Sequence, residues 1–569
     1  MPVKPIYHRS PMSALSALPL GPGQVRIENA ELNALHEALN AYRTEPVTWE
    51  GLFRLACLLH EHPMKDAVSQ LILGALEAQG TDGAFQSSVQ ESVSIARAAM
   101  ALYEYGNSRE VLQSLLMYCS WVSANWKSVI AENMIRRMPA DLMELLVKLY
   151  RYTGKTALLS LCERLRKESI NWTGVLHTYS MRRPTAMTAS WLETRAGIDR
   201  ELDADDGQYT RLYMTSHAET LADGMRATTM NALFSGSGDE SSAGSVGWTR
   251  IKQWHGAVCG GTTADECVQG SDPSVGIDAA SQGAWLEAFL VQFLQPGHLW
   301  AAQEADLLLY NGFSAAFKNG KLNPYQRVNF IDKIPYLRDC YHTHGQETQK
   351  KRSLLRLGSA WVRAYQSAVM TTQSGCDILF LLDGEYTLQM NGTVFRLSVR
   401  HASQQDVSIT FLTKADTKAM VRLRIPEWMH ACVCEINGKT EELSPVGGYL
   451  SMTKTWRHGD VLHLTWTPKL QVVETFHQGL AVMYGNRLYS LNMAEHDFPY
   501  AMVGAPSLEN DGIYVDVAQM EEEKSSSVET EYAMLPVLPR TKKERLHVKL
   551  VPYDETVFRL TVFPKGQQR

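Results

Sequence analysis

The sequence predicts an α+β multidomain protein in which an N-terminal (α/α)6 toroid is followed by one or two antiparallel β-sandwich domains. From about Ala30 to Ala316, apolar residues recur at three- and four-residue spacing, as amphipathic helices require. After about Gly375 the texture changes to short runs that alternate apolar and polar residues, as half-buried strands require. The chain's 569 residues also exceed what one core supports, so two or three domains are expected.

The helical half opens with Leu32, Leu35, Leu39 and Tyr42 on one face. Val68, Leu71, Ile72, Ala75 and Leu76 form a second stripe before Gly80, and Leu142, Leu145, Leu146, Leu149 and Tyr150 a third before Gly154. Glycine just past a stripe offers the left-handed cap that ends a helix. Further helices are expected near 93–105, 110–122, 156–167, 218–233, 279–294, 300–317 and 353–372. Helices joined in sequence by short loops such as Gly106-Asn107-Ser108 suit a toroid, although an irregular bundle would give the same list.

In the second half, Ile378–Leu382 reads as a buried strand, while 393–399, 407–411 and 421–425 alternate. Asn391-Gly392 and Asn437-Gly438 are hairpin-turn pairs. Strands are also expected at 449–453, 461–466, 480–484, 547–551 and 558–562, and the polar run 521–531 reads as a surface loop. The expected division is 1–374 for the helical, catalytic part, 375–476 for a β-sandwich and 477–569 for a second β-rich domain.

Composition narrows the function classes. A hydrophobic fraction of 45% and a charged fraction of 20% describe an ordinary globular protein. The net charge of -6 offers no basic surface for nucleic acid and no polybasic arm for a membrane. The N-terminus lacks the long apolar core of a secretory signal, and no stretch approaches a membrane span. Nine cysteines without framework spacing favour free thiols and a cytoplasmic setting.

One loop carries the chemistry. Trp254-His255-Gly256-Ala257-Val258-Cys259-Gly260-Gly261-Thr262-Thr263-Ala264-Asp265-Glu266-Cys267 lies between helical patterns, and its paired glycines and paired threonines oppose a helix. It gathers a carboxylate, two thiols, an imidazole and an indole on irregular backbone, the usual setting of an active site.

The series Leu423-Arg424-Ile425-Pro426-Glu427-Trp428, Ile436-Asn437-Gly438, Gly448-Tyr449-Leu450 and Trp456-Arg457-His458-Gly459-Asp460-Val461 resembles the first β-domain of glycoside hydrolase family 127, the β-L-arabinofuranosidases. Gly479–Gly485 with Leu488-Tyr489 is similar to a further strand of that family, and Leu309-Tyr310-Asn311-Gly312 to a motif after one of its helices. Gly260-Gly261-Thr262-Thr263-Ala264-Asp265-Glu266 resembles the family's acid/base segment, and Thr215-Ser216-His217-Ala218 the segment whose histidine contacts the sugar. The resemblance implies a retaining glycosidase in which Glu266 protonates the leaving oxygen and then activates water. A terminal sugar such as L-arabinofuranose is the implied substrate, with His217 as a sugar contact; Trp254 and His255 are further candidate contacts by their place beside the loop, where an indole serves the core equally well.

The chain departs from the family at the nucleophile. Members use a cysteine thiolate held near zinc in a C-C-P-P-N segment, with Glu and Cys ligands from an upstream E-T-C. Here there is no C-C-P-P-N, and the nearest candidate is Asp339-Cys340-Tyr341-His342-Thr343-His344. Cys340 is then the candidate nucleophile, activated by His342 or His344, which also count as substrate contacts. Near Gly276-Ile277-Asp278-Ala279, where E-T-C would fall, there is neither glutamate nor cysteine, so the cofactor is left unknown with zinc implied by resemblance alone. Another of the family's substrate histidines is replaced by Asp141. Two rival readings stand beside the hydrolase. One is a polysaccharide lyase using Tyr341 with His342 or Tyr213 with His217; the other is a sugar-binding homologue without catalysis. The expected partner is a carbohydrate, and a homodimer is compatible with the sequence.

Overall fold

The computed structural model describes residues 3–182, 216–265, 267–329, 346–390, 393–442, 444–475, 478–495, 500–519 and 545–566. Six helices form an inner ring: α1 (Pro46–Leu59), α2 (Val89–Gly106), α3 (Ala140–Thr153), α4 (Ala218–Ser235), α5 (Ala279–Gln292) and α6 (Gln346–Ala368). Each packs on the next, and α6 packs back on α1, which closes the ring. Helices 30–40, 62–77, 109–124, 156–168, 238–255 and 299–307 lie outside it, each against at least one inner helix. This is the expected toroid.

Ion pairs fix the common direction of the inner helices. Glu50 and Arg54 of α1 meet Arg97 and Glu104 of α2 in the same order, and these in turn meet Asp141 and Lys148 of α3. The barrel therefore has an N-terminal end and a C-terminal end. Inner helices have no solvent face: every residue of α5 is buried, whereas outer helix His62–Glu77 buries only Val68 and Ile72. Local signals set the helix ends. Ser88 and Glu91 make a reciprocal capping box before α2, and Gly154 and Gly236 take left-handed φ values of 72° and 69° after α3 and α4.

The C-terminal end is sealed by the chain's own beginning. Backbone N–H groups of Val3, Ser13, Ser16 and Leu20 donate to the carbonyls of Glu104, Leu233, Leu294 and Gln366, at or near the ends of α2, α4, α5 and α6. Helix C-termini leave such carbonyls without intrahelical partners, so the extended segment satisfies them without water.

The β-rich half begins directly after α6. One sheet runs 25–26, 384–390, 393–403, 406–411, 461–468, 429–436 and 439–440, so a strand from the N-terminal segment forms its edge. A second runs 449–456, 417–424, 375–378 and 369–371. Phe411 of the first stacks on Trp456 of the second, with ring centroids 3.9 Å apart. Asn437-Gly438 makes the expected turn with φ of 52° and 75°. A third, nine-stranded sheet from 470 to 563 has its own core around Val482, Val515 and Phe563. The barrel and sandwich share one continuous core and a buried ion pair, Arg424 with Asp306, at 2.7 Å. Among the described residues no helix is long and apolar enough to cross a membrane.

Several boundaries differ from expectation. The helix expected at 300–317 is broken: Leu299–Leu307 is followed by a wide turn at Leu308–Gly312, Phe313–Ala316 and then strand Phe317–Lys318. Strand pairing ends at Ile378, and the apolar run 379–382 is buried outside the sheet. The strand expected at 558–562 is two short ones, Arg559–Leu560 and Val562–Phe563. Trp254 and His255 belong to helix Gly238–His255, so the loop proper begins at Gly256. Asn391-Gly392 and the run 521–531 lie outside the described residues.

Candidate functional site

The N-terminal mouth of the barrel brings His217 against the loop segment that ends at Cys267. His217 caps α4, its Nδ1 accepting from the Thr220 N–H at 3.4 Å and lying 3.2 Å from the Thr220 hydroxyl. Its backbone forms a β-bridge with Cys267, while the Ser216 hydroxyl donates to the Cys267 sulfur at 3.6 Å. The residue that follows Glu266 in sequence is thus paired with His217 across 50 positions of chain. Glu266 itself lies outside the described residues, as do Cys340, His342, His344 and the lyase candidates Tyr213 and Tyr341.

A small sheet frames this loop. Ala264–Asp265 pairs with Cys267–Val268 and runs parallel to Gly276–Asp278, which pairs with Tyr325–Arg327. Gly260 has φ of 103°, and a Cβ there would meet the Leu308 amide nitrogen at 2.7 Å, so glycine is required by conformation and by space. The Trp285 indole holds the Thr262 hydroxyl at 3.0 Å.

The candidates beside the loop differ in how far their polar groups are already engaged. His255 is fully buried; its Nδ1 accepts from the Gly270 N–H at 2.9 Å, and its Nε2 donates to the Met181 carbonyl at 3.1 Å. Burial pushes its pKa down to about 4. Both nitrogens of this neutral ring are engaged by backbone, which leaves none for a sugar hydroxyl, so His255 shapes the loop. Trp254 is half-buried, with the Arg182 guanidinium 5.5 Å from its ring centre. Cys259 is buried and its thiol is pushed up to about 11 by burial, which suits packing.

Below the mouth lies an ion-pair web that sequence reasoning did not identify. Glu219 of α4 accepts from Arg352 and, at 2.7 Å, from Arg356, both of α6. Burial alone would raise its carboxyl, but the two guanidinium groups hold it well below the usual range. Deeper, fully buried Arg226 contacts Glu144 at 2.7 Å, Asp141 at 2.8 Å, Asp223 at 3.4 Å and Glu287 at 3.8 Å. Burial, with Asp141 as a like charge, raises Asp223 to about 7 against the pull of Arg226. Asp141 also pairs with Arg97 and keeps 29% of its side chain exposed, so it reaches the open mouth. The signal was present in spacing: Glu219, Asp223 and Arg226 recur at four and three residues, as inward-facing charges on one helix would.

The implied zinc finds no place among these groups. At the expected ligand segment, Asp278 Oδ1 accepts from the Ala280 N–H at 3.1 Å and Gln349 at 2.8 Å. Its Oδ2 accepts from Ser281 and Arg352, both at 2.9 Å. A carboxylate so filled has no lone pair left to ligate a metal. Among the described residues no group of three or more His, Cys, Asp or Glu is arranged to hold one.

Comparison with known proteins shows what the chain is similar to. Residues 379–467 match the family model for the middle domain of GH127 β-L-arabinofuranosidase. No curated protein sequence matches the chain. A solved structure described as a glycoside hydrolase superposes with a TM-score of 0.74 at 14% identity, covering 99% of this chain and 100% of the other. A GH127 β-L-arabinofuranosidase from Geobacillus stearothermophilus T6 gives 0.65 at 14% identity, covering 94% of each chain. Another GH127 β-arabinofuranosidase gives 0.63 at 15% identity, covering 97% of this chain and 98% of the other. The fold is theirs from end to end.

Proposed function

We infer that this chain, which carries the GH127 middle domain on the GH127 fold, is a divergent glycoside hydrolase of that family. Its substrate is a terminal sugar such as L-arabinofuranose on an oligosaccharide or glycoconjugate. The observation that carries the reading is the His217–Cys267 bridge, which joins the sugar-contact segment to the acid/base segment at the barrel mouth. In the proposed retaining cycle, the Cys340 thiolate attacks the anomeric carbon while the Glu266 carboxyl protonates the departing oxygen. Water then attacks the thioglycoside, giving its proton to Glu266 and releasing the Cys340 thiolate. His217 holds a sugar hydroxyl. No step is routed through a metal.

The division into 1–374, 375–476 and 477–569 belongs to the same proposal, as does a cytoplasmic setting, which the absence of disulfides among eight described cysteines supports. Glu266→Gln should lower kcat/KM on an unactivated alkyl β-L-arabinofuranoside, whose leaving group needs the acid, by about 10³-fold with an unchanged melting temperature. Wild-type rates in that variant would sink the assignment. Sugar binding without turnover is the second reading, favoured by the filled Asp278 carboxylate. Saturable binding of L-arabinose with no product from any furanoside would support it.

A further inference from the structure

The sealed end of the barrel contains a cavity of about 140 Å³ on the side opposite the candidate active site. Its walls are of two kinds. Leu15, Leu18, Met230 and Leu290 line one part; charged groups of α1, α2, α3 and α6 line the other. Three carboxylates face it, and each is already paired. Glu50 binds Arg54 and Arg97, Glu104 binds Arg54 and Lys148, and Glu144 binds Arg226 and Arg363.

Four cations line the same cavity, and one has no carboxylate at ion-pair distance, feeling Glu104 only from farther off. Arg151 is 8% exposed, and its Nε and Nη2 both donate to the Ile6 carbonyl, at 3.2 and 2.9 Å. Among the described residues it has no carboxylate partner, and its Nη1 makes no hydrogen bond. A buried cation ordinarily has an anionic partner, because desolvation disfavours its charge. Helix C-terminal carbonyls are the other source of negative potential here. Those of α2, α4 and α6, and one just past α5, already accept from the N-terminal segment.

We propose that this cavity binds a small organic carboxylate, with its carboxylate on Arg151 and its hydrocarbon against Leu15, Leu18, Met230 and Leu290. The volume is that of about four or five waters, which suits a short-chain acid. The apolar half distinguishes it from a bare inorganic anion, which would leave those side chains without contact. The ligand sits beneath the segment that Arg151 anchors through Ile6, so occupancy stabilises the sealed end. This site is independent of the proposed hydrolase activity.

Thermal unfolding of the full chain in sodium butyrate, against sodium chloride of equal ionic strength, tests it. The expected result is a saturable rise of about 2 °C at a hundredfold excess over Kd, absent in Arg151→Met. Phosphate should give no more than chloride. A rise equal in wild type and R151M, a rise with phosphate as large as with butyrate, or no rise at all would each overturn the proposal. If R151M does not fold, carboxyl-13C butyrate with the wild-type protein decides: a bound carboxyl resonance supports the site, and its absence refutes it.

Discussion

The two ends of the barrel are built from the same six helices and solve opposite problems. At the C-terminal end, an extended segment donates its N–H groups to helix carbonyls and closes the interior. At the N-terminal end, helix starts are met by side chains: His217 caps α4 and Asp278 caps α5, while Arg352 and Arg356 of α6 reach Glu219. Backbone donors suit carbonyls and fill them, so any ligand there must turn to a side chain such as Arg151. Side-chain caps leave polar groups near an opening, which is where chemistry can be placed. Between the ends, Arg226 and its four carboxylates hold α3, α4 and α5 in register.

Breaking that middle layer should have the largest effect on stability. Arg226→Met leaves three buried acids and the part-exposed Asp141 short of their cation and should cost about 3–5 kcal/mol, read from urea unfolding with the m-value held common. A loss under about 1 kcal/mol would mean the layer does not couple the two ends.

Asp223 gives the next largest effect, and its sign is fixed. Its folded pKa is raised from 3.8 to about 7, so the folded state holds its proton more tightly than the unfolded one. Stability is therefore lost as pH rises between those values. Glu144 and Glu219 are held low and titrate below this window. Asp223→Asn should be stabilised relative to wild type by about 2 kcal/mol more at pH 8 than at pH 5. An equal difference at both pH values would contradict the raised carboxyl.

The mouth and the sealed end separate cleanly in two milder variants. His217→Asn keeps a good N-cap while removing the imidazole, so stability should hold and kcat/KM fall about tenfold. Tyr150→Phe removes the hydroxyl that donates to the Ser10 carbonyl at the sealed end. It should cost about 1 kcal/mol of stability with kcat/KM unchanged. The reverse pattern in either would place the active end wrongly.

Much of the fold was legible because periodicity reports burial on one face. The stripe 142–150, the cap at Gly154 and the Asn437-Gly438 turn all stand as the sequence implied. Helix Gly238–His255 was hidden by Gly244 and Gly247, which weaken helix propensity but allow close packing. A Cβ on Gly247 would meet Leu176 at 2.6 Å. Helix α1 was hidden for another reason: Leu52–Leu59 is apolar except at Arg54, so no polar face marks the helical period. Around the candidate site the sequence spoke less clearly. The motif drew attention to His217, which the structure sets at the start of α4 beside Cys267, while His255, beside the reactive loop, is a buried ring held by backbone. Nothing local distinguishes a histidine that serves backbone from one that serves substrate. The Arg226 web depends on which helices face one another once the ring closes, and periodicity does not carry that.

The central claim is that the barrel mouth performs retaining glycoside cleavage through Glu266 and Cys340. Peptide mass spectrometry of Glu266→Gln after incubation with an activated aryl β-L-arabinofuranoside tests it most directly. The account predicts a single pentosyl adduct on Cys340, because a good leaving group needs no acid while hydrolysis of the adduct still needs the base. An adduct on another residue, or none while the variant turns over at the wild-type rate, would contradict it.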